Sequence, residues 1–258
     1  KGANPDALLI GEVWEDASNK VSYNVRRKYL QGAELDGAIN YPFLRAVQKF
    51  VKEGDARAFS KHIRTQIDHY PKQSLDVCFN VLDTHDTPRA LTALADGTPK
   101  SDDKREWAEF RLSGEGYETA KRRLKIASLL QYTVPGVPCL YYGDEAGMQG
   151  YKDPLNRLPY PWGSEDKDLL KWYAFLGRLR ALAPFAGGAY RELYADRRAL
   201  VFERRAGEDA VIVAVNMGNN EYALHFGGEI YELISGKKKK DKAVVAPYSF
   251  GVYYTEKI

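Results

Sequence analysis

Residues that could cross-link this chain covalently or through a metal are scarce: two cysteines and four histidines occur among 258 positions. Cys78 and Cys139 each sit inside an apolar run, DVCFNVL and PCLYYG, where a buried free thiol behaves as a small hydrophobe. No Cys/His/Asp spacing matches a disulfide framework, a zinc site or an EF-hand loop, and the redox compartment stays open. No run approaches the 18 apolar residues that a membrane-spanning helix needs. An excess of one charge is also missing. The 38 basic and 35 acidic residues leave +3, too balanced to mark a nucleic-acid partner. Gly-x-Ser-x-Gly, phosphate-loop and dinucleotide fingerprints are absent, which removes support for serine-triad, NTPase and NAD chemistry. Methionine is found only at 148 and 217, and Lys1-Gly2-Ala3-Asn4 leads directly into an apolar segment. That beginning is expected of a cropped or processed product, so a missing signal peptide excludes nothing.

What is present is enough for a packed core. The chain is 44% hydrophobic and 12% aromatic, with 18 Tyr, 10 Phe and 4 Trp, a supply suited to stacking surfaces as well as to an interior. Disordered, collagen-like and coiled-coil classes are excluded.

Up to about residue 184, short apolar runs alternate with longer amphipathic stretches. The runs Ala7–Gly11, Asp36–Asn40, Asp76–Leu82 and Val137–Tyr142 read as strands of a parallel sheet covered on both faces. Helical periodicity marks Tyr41–Glu53, Ala56–His69, Glu118–Tyr132 and Leu169–Ala183. In the last of these, Leu169, Trp172, Tyr173, Leu176, Leu179 and Ala183 share one stripe, acidic residues precede it, and Pro184 is expected to end it. From Gly187 the pattern becomes seven short strands: Tyr190–Tyr194, Leu200–Arg205, Ala210–Asn216, Glu221–Phe226, Tyr231–Ile234, Ala243–Ala246 and Phe250–Thr255. Gly218-Asn219-Asn220 and Gly227-Gly228 supply turn chemistry, and Lys237–Lys240 reads as a solvated hairpin tip. The expected division is 1–184, α/β, followed by 185–258, a small antiparallel sandwich. A closed eight-stranded (β/α) barrel takes roughly 250 residues. Four strands in the first unit therefore make half a barrel or a small open sheet.

Carboxylates close three of these strands: Glu12 after Leu8–Gly11, His85-Asp86 after Asn80–Thr84, and Asp144-Glu145 after Tyr141–Gly143. In a parallel barrel the C-terminal strand ends share one mouth. Several carboxyls there suit glycoside hydrolysis, in which one protonates the leaving oxygen and another stabilises an oxocarbenium-like centre. His62, His69 and His225 lie in helical or strand patterns without a partner and read as structural.

LLIGEVW (Leu8–Trp14), DGAINYPF (Asp36–Phe43), FNVLDTHDTPR (Phe79–Arg89) and PGVPCLYYGDEAGMQGYKDPLNR (Pro135–Arg157) resemble, in order and approximate spacing, the fifth to eighth barrel strands of the α-amylase superfamily. The similarity is greatest to the neopullulanase, cyclomaltodextrinase and maltogenic-amylase group. The trailing strands resemble that family's C-terminal β domain. The resemblance implies the C-terminal half of a (β/α)8 barrel and a retaining hydrolase of starch-type α-glucans. It also implies roles by position: Glu12 matches the general acid/base, and Asp86 the third carboxylate, which binds sugar hydroxyls and supports the acid. His85 matches a histidine that hydrogen-bonds the same glucose; Asp153 and Arg157 match residues contacting further glucose units. Trp14 and Tyr41 lie close in sequence to the motifs, either stacking on sugar or packing.

No cofactor is implied here, since calcium sites of the wider family commonly lie in the earlier half. Residence inside the cell follows only from the neopullulanase-like character. The family's nucleophile, an aspartate two residues after an arginine, has no counterpart: no Arg-x-Asp triplet occurs in the 258 residues. Alone, the chain is expected to be close to inert, with its barrel edges pairing with a missing half or with another copy. The second reading is a non-catalytic carbohydrate-binding or scaffold module.

Overall fold

The computed structural model describes residues 2–255. Lys1, where the expected cut falls, and residues 256–258 of the expected second unit lie outside the described residues. Strand β1 (Ile10–Gly11) is followed by a hairpin of β2 (Val21–Ser22) and β3 (Val25–Arg26). Next comes β4 (Gly37–Ala38), parallel to β1. Ile39 bridges to Phe79 of β5 (Phe79–Asn80), and β5 pairs in parallel with β6 (Val137–Pro138). The four parallel strands thus stand side by side in chain order, the arrangement of half a barrel.

Each parallel strand is shorter than its apolar run predicts. Pro138 has no N–H to extend β6, and β1 and β6 each have one neighbour among the described strands, so no ladder forms on their outer sides. Beside them Leu8, Leu9, Leu140 and Tyr142 are exposed, Leu8 to 54%.

The helices form where their caps and stripes put them. α1 (Tyr41–Glu53) starts at Asn40, whose side chain accepts from the Phe43 N–H, and stops at Gly54 in the left-handed conformation. Phe43, Val47, Phe50 and Val51 bury its inner face against α2 (Ala56–His69), where Phe59 stacks on Phe50. α3 (Lys72–Leu75), α4 (Ala90–Ala93) and α5 (Lys104–Glu109) are short. α6 (Gly114–Thr133) begins four residues earlier than its periodicity predicts, because Gly114 and Gly116 in its first turn dilute the helical signal. α7 (Lys167–Arg180) begins at an Asp166 cap and ends before Ala183, which opens a 3₁₀ turn carrying Pro184.

The C-terminal sandwich is one six-stranded antiparallel sheet curled on itself. It comprises β7 (Ala189–Ala195), β8 (Ala199–Ala206), β9 (Asp209–Asn216), β10 (Tyr222–Glu232), β11 (Lys237–Val245) and β12 (Ser249–Thr255), in the order β11-β10-β12-β9-β8-β7. Two expected strands are one. β10 runs through Gly227-Gly228, where a register shift between His225 and Glu229 absorbs the glycines as a bulge instead of a reversal. Lys237–Lys240 is not a hairpin tip but the start of β11, paired with Glu229–Glu232. One face of the sheet (Leu200, Phe202, Val211, Val213, Val252) joins the core formed by α1, α2, α6 and α7. On the other face Val201, Ala214 and Tyr253 pack against Leu224, Ile230, Ala243 and Val245 of the curled-over strands.

Candidate functional site

The site is built where the parallel strands end. Gly11 lies against the Leu35 side chain, whose Cδ1 would sit 2.3 Å from a Cβ at this position, and the chain passes from it directly to Glu12. Behind the mouth, a buried amide relay ties three strand ends together. Asn40 Nδ2 donates to Asn80 Oδ1 at 2.8 Å, Gln66 Nε2 donates to Asn40 Oδ1 at 2.7 Å, and Gln131 Nε2 donates to the carbonyls of Asn80 and Cys139. These buried amide bonds hold the ends of β4, β5 and β6 in register.

On this base the Glu12 carboxylate, the His85 imidazole and the Asp86 carboxylate each place one ligand-type atom within 4.8 Å of the others, all exposed. His85 Nε2 lies 3.5 Å from Asp86 Oδ2. The Tyr41 hydroxyl donates to Glu12 Oε1 at 2.7 Å and lies 3.3 Å from Thr84 Oγ1. Burial first, then its bond to Glu12, pushes the Tyr41 phenol up to about 12, so it serves as a donor throughout the ordinary pH range. Trp14 stacks on the Tyr41 ring at 3.8 Å and 12°; Tyr41 is buried, while Trp14 is 41% exposed. Arg157 reaches Asp86 at 3.4 Å and Asp153 at 2.6 Å, so Asp153 is engaged by that guanidinium.

The structure thus gathers Glu12, His85, Asp86, Arg157 and Asp153 with Tyr41 and Trp14 at one mouth. It does not bring Asp144 into this mouth group. Asp144 turns into the interior, 2% exposed, against Asp83 and the fully buried Arg89. Arg89 lies over the rings of Tyr141 and Tyr142 at 4.1 and 4.4 Å and donates to the Tyr142 carbonyl. Glu145 accepts from the Gly143 N–H. His69 is not without a partner, since its Nδ1 lies 3.1 Å from Asp16 Oδ2.

Two supports escape a sequence reading. Buried Asn156 donates from Nδ2 to the carbonyls of His85 (2.7 Å) and Thr87 (2.8 Å), clamping the loop that carries His85 and Asp86. Its place inside DPLNR was the available signal. Thr84 was the other, set between a strand end and the His-Asp pair, with its Oγ1 accepting from the Asp86 N–H.

Among the described residues, Glu12, His85 and Asp86 form the one group with donor atoms convergent enough for a metal ion. The Arg157 guanidinium at Asp86 opposes a cation there. The mixture of carboxylate acceptors, an imidazole, a phenol and a guanidinium beside a partly exposed indole is better matched to the hydroxyls and apolar face of a sugar.

The alpha-amylase catalytic-domain family model matches residues 1–175. The chain belongs to the alpha-amylase family. A cyclomaltodextrinase from Bacillus sp. is 37% identical across 87% of this chain and 35% of its own length. Neopullulanase 2 of Thermoactinomyces vulgaris is 32% identical across 96% of this chain and 40% of its own. A solved cyclomaltodextrinase superposes with a TM-score of 0.76 at 32% identity, over 99% of this chain and 41% of that one. The chain therefore spans about two fifths of the length of these alpha-amylase family relatives.

Proposed function

We propose that this alpha-amylase family chain is the C-terminal part of a retaining α-glucan hydrolase acting on α-1,4 or α-1,6 bonds of starch-type oligosaccharides. In this reading residues 1–184 form half of the catalytic barrel and 185–258 a β domain. Glu12 protonates the glycosidic oxygen and then activates water; Asp86 and His85 grip hydroxyls of the glucose undergoing reaction; Arg157 and Asp153 reach the neighbouring unit. Tyr41 orients Glu12 through its hydroxyl, and Trp14 offers an apolar face for stacking. A retaining mechanism needs a second carboxyl about 5 Å from the acid, which forms the glycosyl-enzyme. No Arg-x-Asp triplet supplies it in this sequence, so by itself the chain is inactive and needs the other barrel half to work.

The observation that supports this most is the convergence of Glu12, His85 and Asp86 within 4.8 Å at the C-terminal ends of parallel strands. The test joins residues 1–258 to a barrel half bearing the Arg-x-Asp motif and follows reducing-sugar release from malto-oligosaccharides. Activity should appear, and Glu12→Gln should lower it by about 10³-fold or more. Full activity in that variant, or turnover by the chain alone, overturns the assignment. The absent nucleophile also favours the second reading, a non-catalytic carbohydrate-binding module. Calorimetry showing malto-oligosaccharide binding, with no turnover even in the joined protein, would select it.

A further inference from the structure

A cavity of about 580 Å³ is lined by none of the residues that gather at the Glu12–His85–Asp86 mouth. It lies between the C-terminal end of α1, the middle of α6 and the turns that lead into β8 and β12. Its apolar side is Val51, Ile126 and Met217, with Tyr248 at the edge, and five cations face it: Lys52, Arg122, Arg123, Arg197 and Arg198.

The charges are not balanced where they stand. Glu53 and Asp55 also line the cavity, but Glu53 pairs with Lys49 and Asp55 caps α2 by accepting from the Ala58 N–H. Lys52 donates to the carbonyls of Ala93 and Ala95, and Arg123 is paired with Asp96. Arg198 reaches only the neutral Asn219 side chain, which also receives the Tyr248 hydroxyl. Arg122 and Arg197 make no ion pair among the described residues. Three exposed arginines therefore line one concavity, from α6 and from the β7–β8 turn, with no ion pair of their own, beside Glu53 and Asp55. Five cations against two carboxylates give the lining a net positive charge that a bound anion would balance. Tyr248, which lines the cavity, is itself held at φ +50°, a costly conformation for a non-glycine residue, and is 42% exposed.

We propose that this cavity binds a phosphomonoester carrying a ring. The phosphate would sit among Arg122, Arg197 and Arg198, where the planar guanidinium fork matches its oxygens. The ring would lie against Met217 and Tyr248. Both a nucleoside monophosphate and a sugar phosphate have this chemistry, and the volume accommodates either.

Titration of the protein bearing residues 1–258 with AMP, glucose 6-phosphate, adenosine and inorganic phosphate, by calorimetry at low salt, tests the site. Saturable binding of AMP or glucose 6-phosphate is expected, tighter than that of inorganic phosphate, with no binding of adenosine and with affinity falling as salt rises. Arg122→Ala and Arg197→Ala should each weaken binding by about tenfold. Glu12→Gln should leave it unchanged. Circular dichroism of each variant separates a lost site from a lost fold, and Arg122→Lys should restore part of the affinity if a variant unfolds. Absence of binding by both esters, affinity no better than for inorganic phosphate, or indifference to both arginine substitutions overturns the proposal.

Discussion

A single hydroxyl carries much of the organisation of the mouth. Tyr41 is buried by its ring yet presents its oxygen to Glu12 at 2.7 Å, so Tyr41→Phe removes one donor and almost no volume. In the active, joined protein this substitution should lower kcat by about tenfold, the loss of one hydrogen bond to a charged group, while leaving KM nearly unchanged. Steady-state kinetics on malto-oligosaccharides decide it, and an unaltered kcat would show that Tyr41 is packing alone. A second residue-scale prediction concerns the buried acids behind the mouth. Burial, opposed by Arg89, holds the Asp83 carboxyl up at about 6, and burial together with Asp83 holds Asp144 well above the usual carboxylate range. A proton shared between the two gives a hydrogen bond to Oδ1 atoms that otherwise make none, Asp144 Oδ1 having only the Arg89 guanidinium 3.8 Å away. From about pH 4 to 6 the folded state keeps a proton that the unfolded chain has released, so stability falls as pH rises through that window. The slope is about 1.4 kcal/mol per pH unit for each retained proton. Asp83→Asn cannot titrate but still offers an oxygen to the Ala90 N–H. Its melting temperature should therefore decline less than that of the parent between pH 4 and 6, and an identical slope in thermal denaturation would refute the shared proton.

Elements respond to their ends. Asp166 caps α7 by accepting from the N–H groups of Asp168 and Leu169, receives the Tyr117 hydroxyl, and pairs with Lys121 at 2.9 Å. Burial raises its pKa, but Lys121, Leu169 and Tyr117 outweigh burial and bring it down to about 2. Its contribution is thus present above pH 4 and lost as pH falls toward 2. Asp166→Ala should cost about 1–2 kcal/mol at neutral pH in urea unfolding, with the difference from the parent shrinking in acid. That cap was legible in the sequence as acidic residues before an apolar stripe, and α1 and α2 were legible to the residue from their helical periodicity, the structure adding Asn40, Gly54 and Asp55 at their ends. The parallel strands were legible in existence and order, but not in length, because apolar runs report burial and not ladder pairing. The hairpin of β2 and β3 was not legible at all: its turn is Tyr23-Asn24, both at positive φ, where Asn-Gly would have announced it. Lys237–Lys240 was misread because a charge run looks solvated whether it turns or extends. On β11, the outer strand of the sheet, these lysines occupy the place where charge discourages edge-to-edge association. Of the site, the carboxylates and histidine that come together were legible because they follow apolar runs directly. Asn156, Asn80 and Gln66 were not, since an amide's role depends on distant partners that no local pattern names.

At the scale of the whole molecule the two ends of the parallel sheet contrast with everything else. The β7 edge of the C-terminal sheet packs against α2, and the β11 edge bears lysines, but β1 and β6 present strand edges flanked by exposed Leu8, Leu9, Leu140 and Tyr142. Trp162, 82% exposed, lies on the long segment that follows β6. Apolar side chains beside unpaired strands are an invitation to pairing, and the physical remedy is either the rest of a barrel or a second copy of the same edge. Sedimentation velocity on residues 1–258 should therefore show concentration-dependent association. Adding the complementary barrel half should replace it with a single heterodimeric boundary and quench access to Trp162 by acrylamide. Lys substituted for Leu8 and Leu140 should suppress self-association, while the curled sheet and its helical core retain their cooperative unfolding. A monodisperse monomer of the unsubstituted chain at all concentrations would mean that the open edges are closed by the chain itself, and would remove the physical argument that residues 1–184 are built to be completed.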